Sequence, residues 1–251
     1  MPALLALLLA VASAAPATAT LKAEDGQAIV ARSGGAGEDC AVLVHGDQRS
    51  AQDWDRLIGL LSERGFRVLA PDLRGHGATG GALEEASYAS MPLDVRAAVA
   101  HLTAKGCRKL ALVGADVGAV LALQAAAAEP GVTNLVLLSP RLGGHGLKVT
   151  EALAGYSNRP VLLVSAKDDG SGARATSAMS ERFTGTRQVI WVEGAAVGPN
   201  LFNDLATLEA SLLAWLISDG RGDTVQASRA AAPRTADQGD IETTGKRIGE
   251  E

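Results

Sequence analysis

Asp116 stands in Leu112-Val113-Gly114-Ala115-Asp116-Val117-Gly118-Ala119, where an apolar run passes through Gly-x-Asp-x-Gly into an Ala/Leu-rich stretch. Small residues on both sides allow a sharp strand-to-helix turn that lifts one side chain clear of the strand end. A carboxylate held there can attack an alkyl carbon, but it is a poor nucleophile for acyl transfer. Attack at carbon leaves an ester, and hydrolysing that ester requires a base to activate water. The chain has four histidines from which to draw one. His45 and His76 sit in loops just beyond apolar runs. His101 falls at helical spacing, as a helix-surface or boundary residue. His145, in Gly143-Gly144-His145-Gly146, belongs to a loop able to fold over a pocket, either as a relocated base or as an ordinary solvated histidine.

The elements that must position these residues alternate along the chain. Apolar runs at 41–44, 67–70, 110–113, 135–138, 161–165 and 188–192 predict strands covered on both faces. Between them, 51–64, 92–105, 117–128, 148–154, 172–183 and 201–218 predict helices, with Pro92 placed in a first turn. An Asp25-Gly26 pair between two short alternating runs predicts a hairpin ahead of the first core strand. Such alternation predicts a doubly wound, mostly parallel α/β sheet.

The 251 residues, 47% of them apolar, suffice for one large core. A net charge of −5 and few aromatics argue against a nucleic-acid partner or an anionic membrane surface. The apolar run over 4–11 is too short to span a bilayer, and Ala12-Ser13-Ala14 and Ala17-Thr18-Ala19 offer small-x-small cleavage patterns. The expected organisation is a signal peptide over 1–19, one domain over 20–218 and a polar, disordered tail over 219–251. Arg221-Gly222-Asp223 in that tail is read as a chance triplet. No membrane anchor is expected, and export to the periplasm or the exterior is.

Five motifs in order give the chain its resemblance. They are Val44-His45-Gly46, Pro71-Asp72-Leu73-Arg74-Gly75-His76-Gly77, the Gly114–Gly118 turn, Ala166-Lys167-Asp168-Asp169 after an apolar strand, and Glu193-Gly194-Ala195-Ala196-Val197-Gly198. Together they resemble the α/β-hydrolase superfamily over about 20–218, with a minimal cap between 138 and 160. The resemblance implies that Asp116 takes the nucleophile's place, Asp169 the acid's and Val197 the histidine's. It also implies that the backbone N–H groups of Asp47 and Val117 form the oxyanion hole. Serine is the usual nucleophile there, and valine carries no proton. Aspartate nucleophiles occur in the haloalkane dehalogenase and epoxide hydrolase branch, but that branch keeps its histidine, a tryptophan after the nucleophile and a large cap.

The resemblance therefore implies a degenerate triad: a non-catalytic pseudo-hydrolase or small-molecule binder. The alternatives are an active hydrolase pairing Asp116 with His145, or a protein-interaction module. Asp47, Asp116 and Asp169 would converge at one sheet edge, but their spacing matches no recognised metal loop. Neither metal nor cofactor is expected. In the resembled sheet order Cys40 and Cys107 begin neighbouring strands, so an exported chain would join them in a disulfide.

Overall fold

The structure, a computed structural model, describes residues 15–202 and 206–220. The expected leader up to residue 14, and the tail from residue 221 with its Arg221-Gly222-Asp223, lie outside the described residues. The Asp25-Gly26 turn, with Gly26 at φ +90°, joins β1 (Ala17–Lys22) to β2 (Ala28–Gly34). That strand begins at Ala17, so residues expected in the leader pair with β2 from Ala17↔Ser33 onward.

The apolar runs form β3 (Asp39–Val44), β4 (Phe66–Pro71), β5 (Lys109–Ala115), β6 (Asn134–Leu138), β7 (Val161–Ala166) and β8 (Arg187–Val192). The eight strands lie in the order β1-β2-β4-β3-β5-β6-β7-β8, and only β2 runs against the others. Successive side chains point to opposite faces, so each central strand feeds two cores. Val42, Val44, Leu110, Leu112, Leu135 and Leu137 face one, and Leu43, Ala111, Val113, Val136 and Leu138 the other.

Helices close both faces. The first core is covered by α2 (Glu85–Ala104), α3 (Val117–Ala128), α4 (Val149–Tyr156) and the end of α5 (Gly170–Arg182). The second is covered by α1 (Asp55–Glu63) and α6 (Ala206–Ile217). The expected helix over 51–64 opens instead as a 3₁₀ turn, Ala51–Trp54, before α1. Likewise 201–218 divides into a 3₁₀ turn, Gly198–Phe202, and α6.

Pro92 is not in a first turn. It lies inside α2, which starts at Glu85, where Ser87 Oγ accepts from the Glu84 N–H at 3.3 Å. Proline costs an interior helix one hydrogen bond, but burial of Tyr88, Met91, Val95, Ala98 and Val99 outweighs that loss.

Candidate functional site

The turn after β5 is drawn tight by its two glycines. A Cβ on Gly118 would stand 2.2 Å from the His45 carbonyl oxygen, and one on Gly114 would stand 2.3 Å from that of Gly118. With α3 seated this closely, the single residue between strand and helix must reverse direction. Asp116 does so at φ +56°, ψ −120°, a conformation that costs a non-glycine residue about 1–3 kcal/mol. Gly46 admits the neighbouring loop, since a Cβ there would lie 3.1 Å from that of Asp116.

The Asp116 carboxylate has one partner on each oxygen. Its Oδ2 accepts a long hydrogen bond, 3.4 Å, from the Asp47 N–H, and its Oδ1 accepts from Arg141 Nε. Sequence reasoning passed over Arg141. It lies just past β6, the immediate neighbour of β5, and a polar residue following a strand at this edge falls within reach of the site. The carboxylate holds the Arg141 guanidinium pKa above its ordinary value, chiefly through that hydrogen bond.

The other two expected positions also reach this edge. Val197 is exposed, and a Cβ on the following Gly198 would lie 3.3 Å from that of Ala115. Gly198 N–H donates to Ser139 Oγ at 3.2 Å, tying the 194–198 loop to the end of β6. Asp169 caps α5, its Oδ1 accepting from Gly172 N–H at 3.0 Å, while its Oδ2 is buried without a hydrogen-bond partner. Val117 opens α3, and its N–H, at the first helical position, has no intrahelical acceptor.

Three of the four histidines are committed elsewhere. Fully buried His45 donates from Nδ1 to the Gly46 carbonyl at 2.8 Å and accepts the Leu73 N–H on Nε2 at 3.0 Å. His76 Nε2 accepts the Gln48 N–H at 3.3 Å, and its Nδ1 lies 3.1 Å from the Arg74 carbonyl. His145 stacks on Tyr88 with ring centres 3.7 Å apart, and its Nδ1 meets Glu85 at 2.8 Å. His101 is half-buried on α2, where burial and then nearby Lys105 and Arg67 lower its pKa. No imidazole hydrogen-bonds Asp116 among the described residues, which include all four histidines.

Tyr88, also missed from sequence, donates its hydroxyl to Asp47 Oδ1. Burial and that bond raise the phenol pKa above its ordinary value, so it remains a donor. Among the described residues no group of three or more His, Cys, Asp or Glu side chains is arranged to hold a metal ion.

Burial lowers the His45 pKa from 6.5 to about 4. The unfolded chain takes up a proton near 6.5, and the folded one resists until about 4. Stability from the neutral ring is therefore complete above pH 6.5 and is lost as pH falls through that window. Urea unfolding should give a stability about 2 kcal/mol lower at pH 5 than at pH 7.5 from this residue alone. A His45→Gln variant should show a correspondingly flatter profile, and equal slopes in the two proteins would refute the assignment.

A parallel sheet whose central strand ends in a strained turn, flanked by an early amide-bearing loop and two later loops, defines an α/β-hydrolase fold. The chain belongs to the alpha/beta hydrolase family, whose model matches residues 41–243. It is 31% identical over 147 residues to a pyrethroid hydrolase of Sphingobium wenxiniae, covering 56% of this chain and 51% of that one. It is 37% identical over 81 residues to epoxide hydrolase 3 of Siraitia grosvenorii, covering 32% and 25%. The chain thus spans between a quarter and a half of these curated relatives. The esterase Pf2001 of Pyrococcus furiosus superposes with a TM-score of 0.69 at 17% identity, covering 82% of this chain and 93% of that one. DcsB, solved with a substrate analogue, gives 0.71 at 15%, covering 83% and 100%. At such identities the structural likeness speaks for the fold.

Among the described residues no helix is long and apolar enough to cross a membrane. Cys40 and Cys107 form a disulfide, with Cα atoms 5.8 Å apart.

Proposed function

We propose that this protein is a non-hydrolytic member of its family that binds a small molecule at the Asp116 site, and that it is exported. The observation that carries the reading is the engagement of Asp116 by Arg141 and the Asp47 amide, with His45, His76 and His145 each bonded to another partner and no imidazole hydrogen-bonded to Asp116. A nucleophilic carboxylate must present a free lone pair to carbon, and a guanidinium on that oxygen lowers its basicity and blocks the approach. Acyl transfer is opposed as well, because a fixed negative charge lies against the oxyanion amides. His145, the candidate for a relocated base, directs Nδ1 to Glu85 rather than to Asp116. The disulfide supports export, since such bridges persist in oxidising compartments.

The test uses styrene oxide and 4-nitrophenyl butyrate as probes. The wild-type protein and Asp116→Asn should hydrolyse both at the same background rate, and mass spectrometry should find no alkyl ester on Asp116. Were the carboxylate a working nucleophile, the absence of a histidine would make that ester accumulate. An adduct on Asp116, or turnover that falls tenfold or more in Asp116→Asn, would overturn the reading.

A further inference from the structure

The last turn of α2 lies over the outer strands of the sheet, at the edge away from Asp116. Arg67, at the start of β4, marks the place by donating to the Lys105 carbonyl at the end of α2, at 2.7 Å. The sheet face turned toward this helix carries Leu21 and Ile29 in the core, but at this end it shrinks to Ala19 on β1 and Ser33 on β2. Such small side chains cannot fill the space under α2, and a cleft of about 270 Å³ opens there. Buried Leu69 and Leu102 give it an apolar floor.

The mouth of the cleft is basic. Arg67, His101 and Lys105 line it, and no acidic side chain does. Arg67 is fixed by two carbonyls, that of Lys105 and that of Ala36 at 2.8 Å, which leaves further N–H donors on the same guanidinium. The acidic neighbour in the strand register, Asp39 opposite Phe66, is taken by Arg108 at 3.1 Å. The charged groups acting on His101 are Lys105 from its own helix and Arg67 from β4, while β1 and β2 bring none to the cleft. Basic groups gathered over an apolar floor with no carboxylate among them lack the counter-charge that a ligand can bring. The last carbonyls of α2 set the negative end of the helix dipole at the same mouth, so a single charge suits it better than a dianion.

We infer that this cleft is a second binding site, for a small organic monoanion: a carboxylate on a short apolar body. The carboxylate sits among Arg67, His101 and Lys105, and the body lies on Leu69, Leu102 and Ala19. Arg67 and Lys105 hold it as cations, and His101 adds a third by taking up a proton. Binding and protonation are linked. The anion favours the charged imidazole, so it raises the His101 pKa, and affinity rises as pH falls. The site needs nothing from Asp116 and stands whether or not that turn binds or reacts.

Benzoate is the probe, titrated into the full chain while the His101 ring and the Gly34 and Gly35 amides are followed by NMR. The wild-type protein should bind it saturably, with those signals moving together and the His101 pKa rising. Ala19→Leu fills the floor without touching a charge and should weaken binding at least ~10-fold. Lys105→Gln, at an exposed position, should weaken it about threefold. Acetate has the charge without the body and benzyl alcohol the body without the charge, and each should bind at least ~10-fold more weakly than benzoate. Equal benzoate affinity in the wild type and Ala19→Leu would overturn the inference, as would a His101 pKa unmoved by saturating benzoate. Phosphate bound as tightly as benzoate would overturn the choice of a monoanion, and benzyl alcohol bound as tightly would overturn the role of the charge.

Discussion

Asp116→Ser combined with Val197→His should hydrolyse 4-nitrophenyl butyrate at least ~10²-fold faster than the wild-type protein, the lower end of what a positioned acid–base group supplies. The backbone already holds position 116 at the turn conformation, and the Asp47 amide already points at the side chain standing there. A serine would remove the fixed charge that opposes an oxyanion. Position 197 is exposed on a loop fastened to β6 and packed beside Ala115, so an imidazole there meets no core obstacle. Asp169, at the acid's expected position, has an Oδ2 without a hydrogen-bond partner. Each single change should yield little, because a nucleophile without its base and a base without its nucleophile act poorly alone. Steady-state kinetics on all three variants decide the matter. A folded double variant no faster than the singles would mean that the oxyanion geometry is lost along with the triad.

Removing the disulfide should cost about 4 kcal/mol, the chain-entropy value for a loop of this span. The bridge spans 67 residues and ties the start of β3 to Cys107, which lies shortly before β5. These are the two strands whose far ends carry Asp47 and Asp116, and they pair in parallel from Asp39↔Lys109 to Val44↔Gly114. Urea midpoints should fall for Cys40→Ala/Cys107→Ala and also for the reduced wild-type protein, in which no side-chain volume is lost. Because Cys40 is buried, the double variant should lose somewhat more than reduction alone. An unchanged midpoint on reduction would show that the unfolded chain gains little freedom when the loop opens.

The central strands and the elbow helix were legible because each is a near-continuous apolar run bounded by glycine. The helix over 117–128 coincides with α3 residue for residue. Helix α2 was misjudged at its start, since Pro92 is a strong local signal and the burial that overrides it is a tertiary effect. The placement of the candidate positions was legible, since Asp116, Asp169 and Val197 follow β5, β7 and β8, parallel strands that end at one edge of the sheet. Its actual partners were not. Arg141 and Tyr88 belong to no motif, and their approach depends on how the 139–148 loop and α2 cross the edge, which no local pattern encodes. The pairing of Cys40 with Cys107 followed once the strand order was supposed, because the register fixes which strand starts are adjacent.

Asp116 is also the N-cap of α3, the helix whose positive end faces the strand edge. In a hydrolysing member of such a fold, the amides and the dipole at this point await a negative charge that exists only while a bond is being made. Here a comparable charge is built into the chain. If the non-hydrolytic reading proposed above holds, the scaffold meets permanently, and from within, the kind of charge it would otherwise stabilise for an instant.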